Sequence, residues 1–380
     1  MSSPSPAPIG PWKTIIFALI PAVLLLLVCE ATVRFLGLHT RCHGIYDDSP
    51  LWACDPILTF QLRKDLQPAG KPLNQAGFRG REFTAKTPGV YRVLALGDST
   101  TYGIISDNTF RYIPAPYPEK LEQLVAERAG PGKVEVLNAG VPGYNSFMAV
   151  MQLRAKLRGL HPDLITVRYG WNDHLMSKGG AGGDAYREIE NPLLRGVEDV
   201  LLRTALYPFL RRVAMEIRSR GKDTKATARD IPTEWKPDVP LEQYKHNLRR
   251  IVELGRAQGA EVWLLTTPHA FLTDENRGQY DKFPNTLSAK ALIAFSAIPT
   301  FDRMIEIHDA YAEATREVGR ELGVPVVDME AAYRQHASEH LYNSFDVVHP
   351  TQEGHDLEAE VLYQRLVAEG IVKPTNSASR

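Results

Sequence analysis

The amino-acid sequence predicts an α/β fold in which a five-stranded parallel sheet lies between two layers of helices. Five short apolar runs, each bounded by Gly, Pro or Asp, alternate with longer segments whose apolar residues recur every three or four positions. Near-continuous apolarity is typical of strands buried on both faces, and strands that alternate with helices pair in parallel through right-handed crossovers. The predicted strands are 91–96, 134–138, 164–169, 261–266 and 325–328.

The segments between these strands carry helix signals. Segment 118–128 begins with Pro118, and proline is favoured in the first turn of a helix. Segments 147–158, 241–258 and 308–322 show the spacing of helices that pack one face on a core, and a last helix is expected at 352–369. These elements predict a three-layer α/β/α sandwich of flavodoxin-like type over residues 91–372, with insertions at 174–240 and 268–307.

The composition is that of a folded globular protein. Hydrophobic residues make up 44% of the chain and charged residues 23%, and the formal net charge is −1. A charge so close to zero gives no electrostatic basis for binding nucleic acid, so no nucleic-acid partner is expected.

Residues 1–33 are expected to form a single-pass membrane anchor, followed by a juxtamembrane region at 34–90. Segment 14–29 is apolar and uncharged, and its flanks extend it toward the roughly 17–20 residues that a spanning helix needs. A cleaved signal peptide is the alternative, although no small-residue cleavage site follows the apolar run. Lys13 before the run and Arg34 after it leave the orientation undecided by charge.

Three cysteines occur in the chain, and Cys42 and Cys54 bracket a short loop after the apolar run. A bridge between them would persist in an exported domain, and two free thiols are the alternative. The cysteines and histidines lack the spacing of metal ligands, so no metal site is expected.

A candidate nucleophile directly follows the first predicted strand. Gly97-Asp98-Ser99 places a serine at the carboxyl edge of the sheet, where ligands bind in open α/β folds. It also places the serine at the start of a helix, whose free N–H groups stabilise an anion. The tripeptide alone is equally compatible with a simple capped turn.

A candidate base precedes the last predicted helix. Asp346 lies three residues before His349, so its carboxylate can orient the imidazole from the same loop. The imidazole can then remove the proton from a serine hydroxyl. Since this segment follows the last strand, it should return to the sheet edge that carries Ser99. The sequence therefore predicts a catalytic triad of Ser99, His349 and Asp346.

The second and third strand exits supply candidate oxyanion donors. Gly140 and Gly143 follow the second strand, and glycine lets a backbone N–H approach a substrate closely. Asn172, in Gly170-Trp171-Asn172-Asp173, can direct its side-chain amide at a developing negative charge. Each segment alone could be a turn, but four such elements in one order at strand exits indicate one shared site.

These four blocks resemble those of the GDSL-type or SGNH esterases and lipases. Members of that family carry Gly-Asp-Ser, then a glycine, then Gly-x-Asn-Asp, and finally Asp-x-x-His. The resemblance covers roughly residues 91–367, and it implies Ser99 as nucleophile, His349 as base and Asp346 as partner of the base. It also implies an oxyanion hole made of the Ser99 and Gly143 N–H groups and the Asn172 amide, with Gly140 less favoured than Gly143.

The resemblance further implies a serine esterase that needs no cofactor and no metal. Small acyl esters on carbohydrate are the expected substrates and lipid esters come second. An acyltransferase acting on an envelope polysaccharide and a non-catalytic carbohydrate-binding protein are the alternatives. Segment 74–79 resembles that of anchored bacterial members, so a periplasmic or extracellular domain is expected. Tyr102, Tyr144 and Trp171 are candidate substrate contacts, and His174 is expected on a surface loop.

Overall fold

The structure is a computed structural model that describes most of the chain. It covers residues 11–40, 49–105, 111–175, 188–219, 235–273, 298–343 and 346–375, with single positions at 278, 289, 290, 293 and 296. Cys42 and parts of both predicted insertions lie outside the described residues.

The strands of the central sheet alternate with helices from Tyr91 onward. The helices are α1 (Pro11–Phe35), α2 (Ser99–Tyr102), α3 (Tyr117–Ala129), α4 (Ser146–Ala155), α5 (Trp171–Leu175), α6 (Pro192–Leu201), α7 (Leu206–Ser219), α8 (Leu241–Ala257), α9 (Phe301–Leu322), α10 (Met329–Gln335) and α11 (Gln352–Ala368). The strands are β1 (Trp52–Asp55), β2 (Thr59–Leu62), β3 (Tyr91–Gly97), β4 (Ile104–Ile105), β5 (Arg111–Tyr112), β6 (Val134–Gly140), β7 (Leu164–Arg168), β8 (Glu261–Leu265), β9 (Val326–Val327), β10 (Tyr342–Asn343) and β11 (Asp346–Pro350).

The central sheet has five strands in the order β6-β3-β7-β8-β9, all paired in parallel. The predicted five-stranded parallel sheet is therefore confirmed. Gly97 at the end of β3 lies opposite Gly140 of β6 and opposite Arg168 of β7. Because these three strands end level with one another, the segments that follow them meet at one edge of the sheet.

Helices cover both faces of this sheet, as continuous apolarity of the strands requires. Every residue of β6 and β7 is buried. Helices α3 and α11 pack against β3, β6 and β8 in one apolar cluster, and α8 and α9 contact β8 and each other. Each fully buried leucine or isoleucine stabilises such a core by about 1.5–3 kcal/mol. The outcome is the predicted three-layer arrangement.

The chain divides into two compact units, and the sheet belongs to the larger one. The smaller unit comprises Met1–Ser49, Cys54–Phe60 and Ile189–Thr224, and the larger comprises Pro50–Ala53, Gln61–Glu188 and Lys225–Arg380. Helices α1, α6 and α7 thus fall in the smaller unit. The predicted boundaries at residues 33 and 90 stay a prediction.

Within the smaller unit, α1 is joined to the start of α7 by a carboxylate. Glu30 accepts the backbone N–H of Ala205 at 2.9 Å and that of Leu206 at 2.7 Å, directly before and at the first residue of α7. The predicted transmembrane helix is not supported. Searched over the described residues, the chain contains no helix whose length and apolarity suffice to cross a membrane.

Candidate active site

A chain of hydrogen bonds joins the three predicted triad residues. The Nε2 atom of His349 lies 2.7 Å from Ser99 Oγ, and its Nδ1 atom lies 2.8 Å from Asp346 Oδ2. The other carboxylate oxygen, Asp346 Oδ1, accepts the backbone N–H groups of Val348 and His349 at 3.1 Å each. The carboxylate therefore fixes the loop and the imidazole together. This geometry is that of a nucleophile, a base and a residue that orients the base.

The strand-to-helix turn around Ser99 is tight. A Cβ atom at Gly97 would lie 1.9 Å from Thr101 Oγ1, so only glycine allows the helix to begin this close to the strand. Asp98 caps the helix, because its side chain accepts the Thr100 N–H at 2.8 Å and the Thr100 hydroxyl at 2.7 Å. The cap aims Asp98 inward and leaves Ser99 at the helix start.

Arg79, from the segment ahead of the first sheet strand, holds the other end of this short helix. Its guanidinium donates to the carbonyl oxygens of Tyr102 at 3.1 Å and Gly103 at 3.0 Å. It also donates to the Ile113 carbonyl and to Glu119 Oε1, the latter at 3.0 Å. Arg79 is buried, so this fan of hydrogen bonds replaces water around the charge. The sequence offered no local signal for this contact.

The four residues predicted to act on the substrate share one pattern of exposure. Ser99, Gly143, Asn172 and His349 are each partly exposed, whereas the residues immediately before and after each of them are buried. All four follow strand ends or, for His349, lie in the edge hairpin strand β11. The structure therefore presents a single reactive group from each block to solvent.

The oxyanion donors are distinguished by their existing hydrogen bonds. The N–H of Gly140 donates to Asn138 Oδ1 at 2.9 Å, so it is not available to a substrate. Within the described residues, the N–H groups of Ser99 and Gly143 have no acceptor. Gly143 has a φ of 86°, a left-handed conformation that favours glycine. Asn172 Nδ2 donates one proton to the Tyr144 carbonyl at 3.0 Å, which holds the third block against the second and leaves its other N–H for a substrate.

The three aromatic candidates for substrate contact are all interior residues. Tyr102, Tyr144 and Trp171 are at most 1% exposed. Their contact with substrate stays a prediction. The expectation that His174 lies on a surface loop is wrong, because His174 is fully buried and its Nε2 lies 2.9 Å from Nδ1 of His308. His174 packs in the interior because its ring contacts those of Trp171 and His308.

Two opposing effects set the protonation of the base. Burial disfavours the charged imidazolium, but the Asp346 carboxylate outweighs burial, so the pKa of His349 lies above its ordinary value. The positive charge of Arg168 acts in the other direction. Arg168 is fully buried and pairs with the equally buried Glu358 at 2.7 Å. The ion pair therefore lies inside the sandwich at the end of β7.

Asp173 connects the second and third blocks beneath the site. Its Oδ1 atom accepts the Ser146 hydroxyl at 2.5 Å and the Ser146 N–H at 3.0 Å. Asn247 of α8 donates to the same hydroxyl at 2.9 Å. Burial raises the pKa of Asp173 to about 8, although the two bonds from Ser146 act to lower it. Burial thus favours the protonated form of this structural carboxyl.

One set of described residues could in principle hold a metal ion, but its hydrogen bonds argue against this. Potential ligand atoms of His269, Asp309 and Glu330 lie within 4.8 Å of one another. His269 Nδ1 accepts the Phe271 N–H at 3.0 Å, so the ring proton is on Nε2 and is donated to Asp309 at 3.0 Å. A metal on Nε2 would displace that proton onto Nδ1, against the Phe271 N–H. Arg316 already occupies one oxygen of Glu330.

A family comparison covers the whole of this site. The profile of the GDSL-like lipase/acylhydrolase family matches residues 95–357. The chain belongs to this family. Membership places this GDSL-like acylhydrolase among the hydrolases that act on esters. No curated protein matches the chain.

Several solved structures are similar to this GDSL-like acylhydrolase at low identity. A lipase/acylhydrolase from Enterococcus faecalis is 17% identical over 76% of this chain and 100% of its own, with a TM-score of 0.44. Axe2, an acetylxylan esterase from Geobacillus stearothermophilus, is 14% identical over 74% and 96%, with a TM-score of 0.42. LAE5, an alpha/beta hydrolase enzyme from the metagenome of Lake Arreo, Spain, is 17% identical over 77% and 99%, with a TM-score of 0.42.

Proposed function

We propose that this protein is a serine esterase that releases small acyl groups, above all acetyl, from carbohydrate esters. The observation that carries the proposal is the hydrogen-bonded series Ser99 Oγ, His349, Asp346 with Ser99 and His349 both reaching solvent. Family membership alone supports an ester hydrolase, and this geometry supports a serine mechanism.

The proposed reaction proceeds in two acyl-transfer steps. Ser99 Oγ attacks the ester carbonyl while His349 Nε2 takes the hydroxyl proton, and His349 then gives that proton to the departing alcohol. A water molecule, deprotonated by His349, attacks the acyl-enzyme and releases the acid and free Ser99. Asp346 stabilises the imidazolium that forms in each step.

The oxyanion formed in each step would be held by three donors. The N–H groups of Ser99 and Gly143 carry no other hydrogen bond within the described residues, and Asn172 retains one amide proton. One such donor contributes about 3–4 kcal/mol to the transition state, or roughly 10²–10³ in rate.

The preference for a short acyl group is supported by the packing around the blocks. Long acyl chains are bound by apolar side chains that line an open channel. Here the aromatic side chains beside the nucleophile and the oxyanion donors are buried in the protein interior. A short acyl group requires little more than the donors themselves.

We further propose that the protein is attached to a lipid surface by α1 and that the larger unit is exported. Large apolar side chains of α1 are exposed throughout the stretch Val23–Val28. Cys54 is disulfide-bonded and Cys29 is free, which supports an oxidising compartment and agrees with the expected Cys42–Cys54 bridge.

Hydrolysis of p-nitrophenyl acetate and octanoate by the detergent-solubilised full chain tests the esterase proposal. Ser99→Ala and His349→Ala should each lower kcat by at least about 10³-fold, while the exposed controls Ser338→Ala and His340→Ala leave it unchanged. If the Ser99→Ala protein is folded and its turnover equals that of the unaltered protein, the serine mechanism is wrong.

Acetate release from an acetylated polysaccharide then tests the substrate class. Faster turnover of octanoate than acetate would favour lipid esters. Turnover that requires an added sugar acceptor would favour the acyltransferase. Sugar binding without turnover, unchanged by Ser99→Ala, would favour the binding protein.

A further inference from the structure

Exposed large apolar side chains are confined to one part of the described chain. All of them lie within residues 12–36 or 189–217, and both stretches belong to the smaller unit. Soluble proteins rarely expose a contiguous apolar surface of more than a few hundred Å². The larger unit, which carries the active site, exposes no large apolar side chain among its described residues. The smaller unit must therefore meet a partner that the active-site unit does not meet.

Helix α6 is amphipathic, but its polarity is inverted relative to a soluble surface helix. Its apolar face consists of Leu193, Leu194, Val197, Val200 and Leu201, at the spacing of one side of a helix, and all five are exposed. Leu193 is the extreme case, at 81% exposed.

The residue that α6 turns inward is an acid. Glu198 is the buried residue of α6, and its Oε1 atom accepts the Tyr207 hydroxyl at 2.8 Å and lies 3.6 Å from Arg211. The inward side of α6 is therefore polar and paired, while its outward side is apolar and has no protein cover among the described residues, the reverse of a soluble surface helix.

Helix α1 indicates what covers it. Val23, Leu24, Leu25, Leu26, Leu27 and Val28 are consecutive and all exposed. Successive residues of a helix point about 100° apart, so these side chains face every direction around the helix axis. A second protein copy would cover one stripe of such a helix, whereas lipid headgroups and acyl chains can contact side chains that point in several directions.

The link between the helices and the local charge also favours lipid. Glu30 binds the first turn of α7, which follows α6 directly, so α1 and α6 are parts of one compact unit. Between residues 192 and 212, Arg195 lies on α6, Arg203 between α6 and α7, and Arg211 and Arg212 on α7, against Glu198 and Asp199. A net positive charge in the segment that carries the apolar face favours anionic lipid headgroups.

We propose that the apolar face of α6 lies in the boundary between headgroups and acyl chains of an anionic bilayer, as a second lipid contact beside α1. This inference rests on the lipid attachment of α1 proposed above and is independent of the esterase chemistry. It makes α6 an interfacial helix, parallel to the lipid surface, that holds the smaller unit at the bilayer.

The test uses the full chain in a Cys29→Ser background, with the disulfide intact, labelled with an environment-sensitive fluorophore at Val197→Cys. The matched control is Asp302→Cys, an exposed position on α9 in the larger unit. Both proteins are bound to vesicles of phosphatidylcholine and phosphatidylglycerol. At position 197 we expect emission at shorter wavelength and quenching by nitroxide-bearing lipids, and at position 302 neither change.

Each other outcome overturns the proposal in a distinguishable way. If the protein floats with vesicles but the label at position 197 stays in water, α1 attachment holds and the α6 contact is wrong. If the protein does not float, lipid attachment fails as a whole, and p-nitrophenyl acetate turnover of the same sample shows whether the esterase proposal survives. A shift at position 197 that depends on protein concentration without vesicles would assign the face to a second copy.

Discussion

The indole of Trp171 stacks on the imidazole of His308, with ring centroids 3.7 Å apart and planes inclined by 17°. His308 Nε2 donates to the Thr267 carbonyl at 2.6 Å, and its Nδ1 accepts from His174 at 2.9 Å. Burial lowers the pKa of His308 to about 3, so the ring is neutral at pH 7. The stack ties α9 and the exit of β8 to the residue directly before Asn172.

Replacing His308 by alanine should therefore disturb the oxyanion donor without touching the substrate. We expect His308→Ala to lower kcat by about 10- to 100-fold with little change in KM, because a displaced Asn172 loses part of its contribution to the transition state. Met304→Ala is the matched control, since Met304 is equally buried on the same helix. Steady-state kinetics of both variants test this role, and equal losses of kcat in the two would show that His308 contributes only to packing.

Arg79→Lys tests whether the segment ahead of the sheet positions the nucleophile. Lysine has three donors on one point charge and cannot reproduce the planar fan that holds the carbonyls of Tyr102 and Gly103. We expect a loss of about 10-fold in kcat and a lower Tm. Arg81→Lys, at a partly exposed ion pair with Glu122, should change neither by much. A fall in Tm with kcat intact would limit Arg79 to stability.

The pH dependence of kcat/KM should report the Asp346–His349 pair. Because the pKa of His349 is raised, the base becomes neutral, and hence active, only above the ordinary histidine value of about 6.5. Asp346→Asn keeps an oxygen for the backbone N–H groups but removes the charge, so the acidic limb should move to lower pH. We expect kcat to fall by about 10⁴-fold, as in other triads.

The control for this shift is Asp356→Asn, which removes a partly exposed carboxylate near Lys120. Its pH–rate profile should match that of the unaltered protein. An unmoved acidic limb in Asp346→Asn would show that another group titrates in that range.

Asp173 should make stability fall as pH rises. Its pKa is about 8 in the folded protein and about 3.9 in the unfolded chain, so the folded state holds the extra proton between these values. The stabilisation is complete below about pH 4 and is lost as pH approaches 8, with a slope of at most about 1.4 kcal/mol per pH unit. Asp173→Asn should flatten the profile.

Urea unfolding between pH 5 and 8 measures this dependence. Asp302→Asn, at an exposed position, is the control and should leave the slope unchanged. The pKa of buried Asp98 is also raised, by burial, so some slope persists in Asp173→Asn. An identical slope in Asp173→Asn and the unaltered protein would contradict the assignment.

Much of the sheet was predictable because its strands are buried on both faces and so are apolar throughout. The strand predicted at 91–96 is observed at Tyr91–Gly97, and the strand predicted at 261–266 is observed at Glu261–Leu265. Helix α9 begins at Phe301, earlier than the predicted 308. The cause is a cap, because Thr300 Oγ1 accepts the Arg303 N–H at 3.1 Å. A lone capping threonine inside an irregular segment gives too weak a signal to set a helix start.

The partly exposed residues of the site could be predicted from the four sequence blocks, because the ends of neighbouring parallel strands bring these blocks together. The supporting contacts do not follow from any local pattern. Arg79 contacts carbonyl oxygens beyond residue 100, and His308 contacts Trp171, more than a hundred residues earlier in the sequence. Such pairs depend on how layers pack, and a single sequence carries no periodicity that reports them.

The Glu30 carboxylate has a practical consequence for making the protein. A shortened chain that begins after Phe35 leaves the N–H groups of Ala205 and Leu206 without their acceptor, and an unmatched buried donor costs about 1–3 kcal/mol. It also removes Val33, which is buried. Deleting the first helix to gain solubility therefore destabilises the start of α7, which is far away in the sequence, and could lower the yield of folded protein. Exchanging its exposed leucines for polar residues, with Glu30 and Val33 retained, is the better route to crystals.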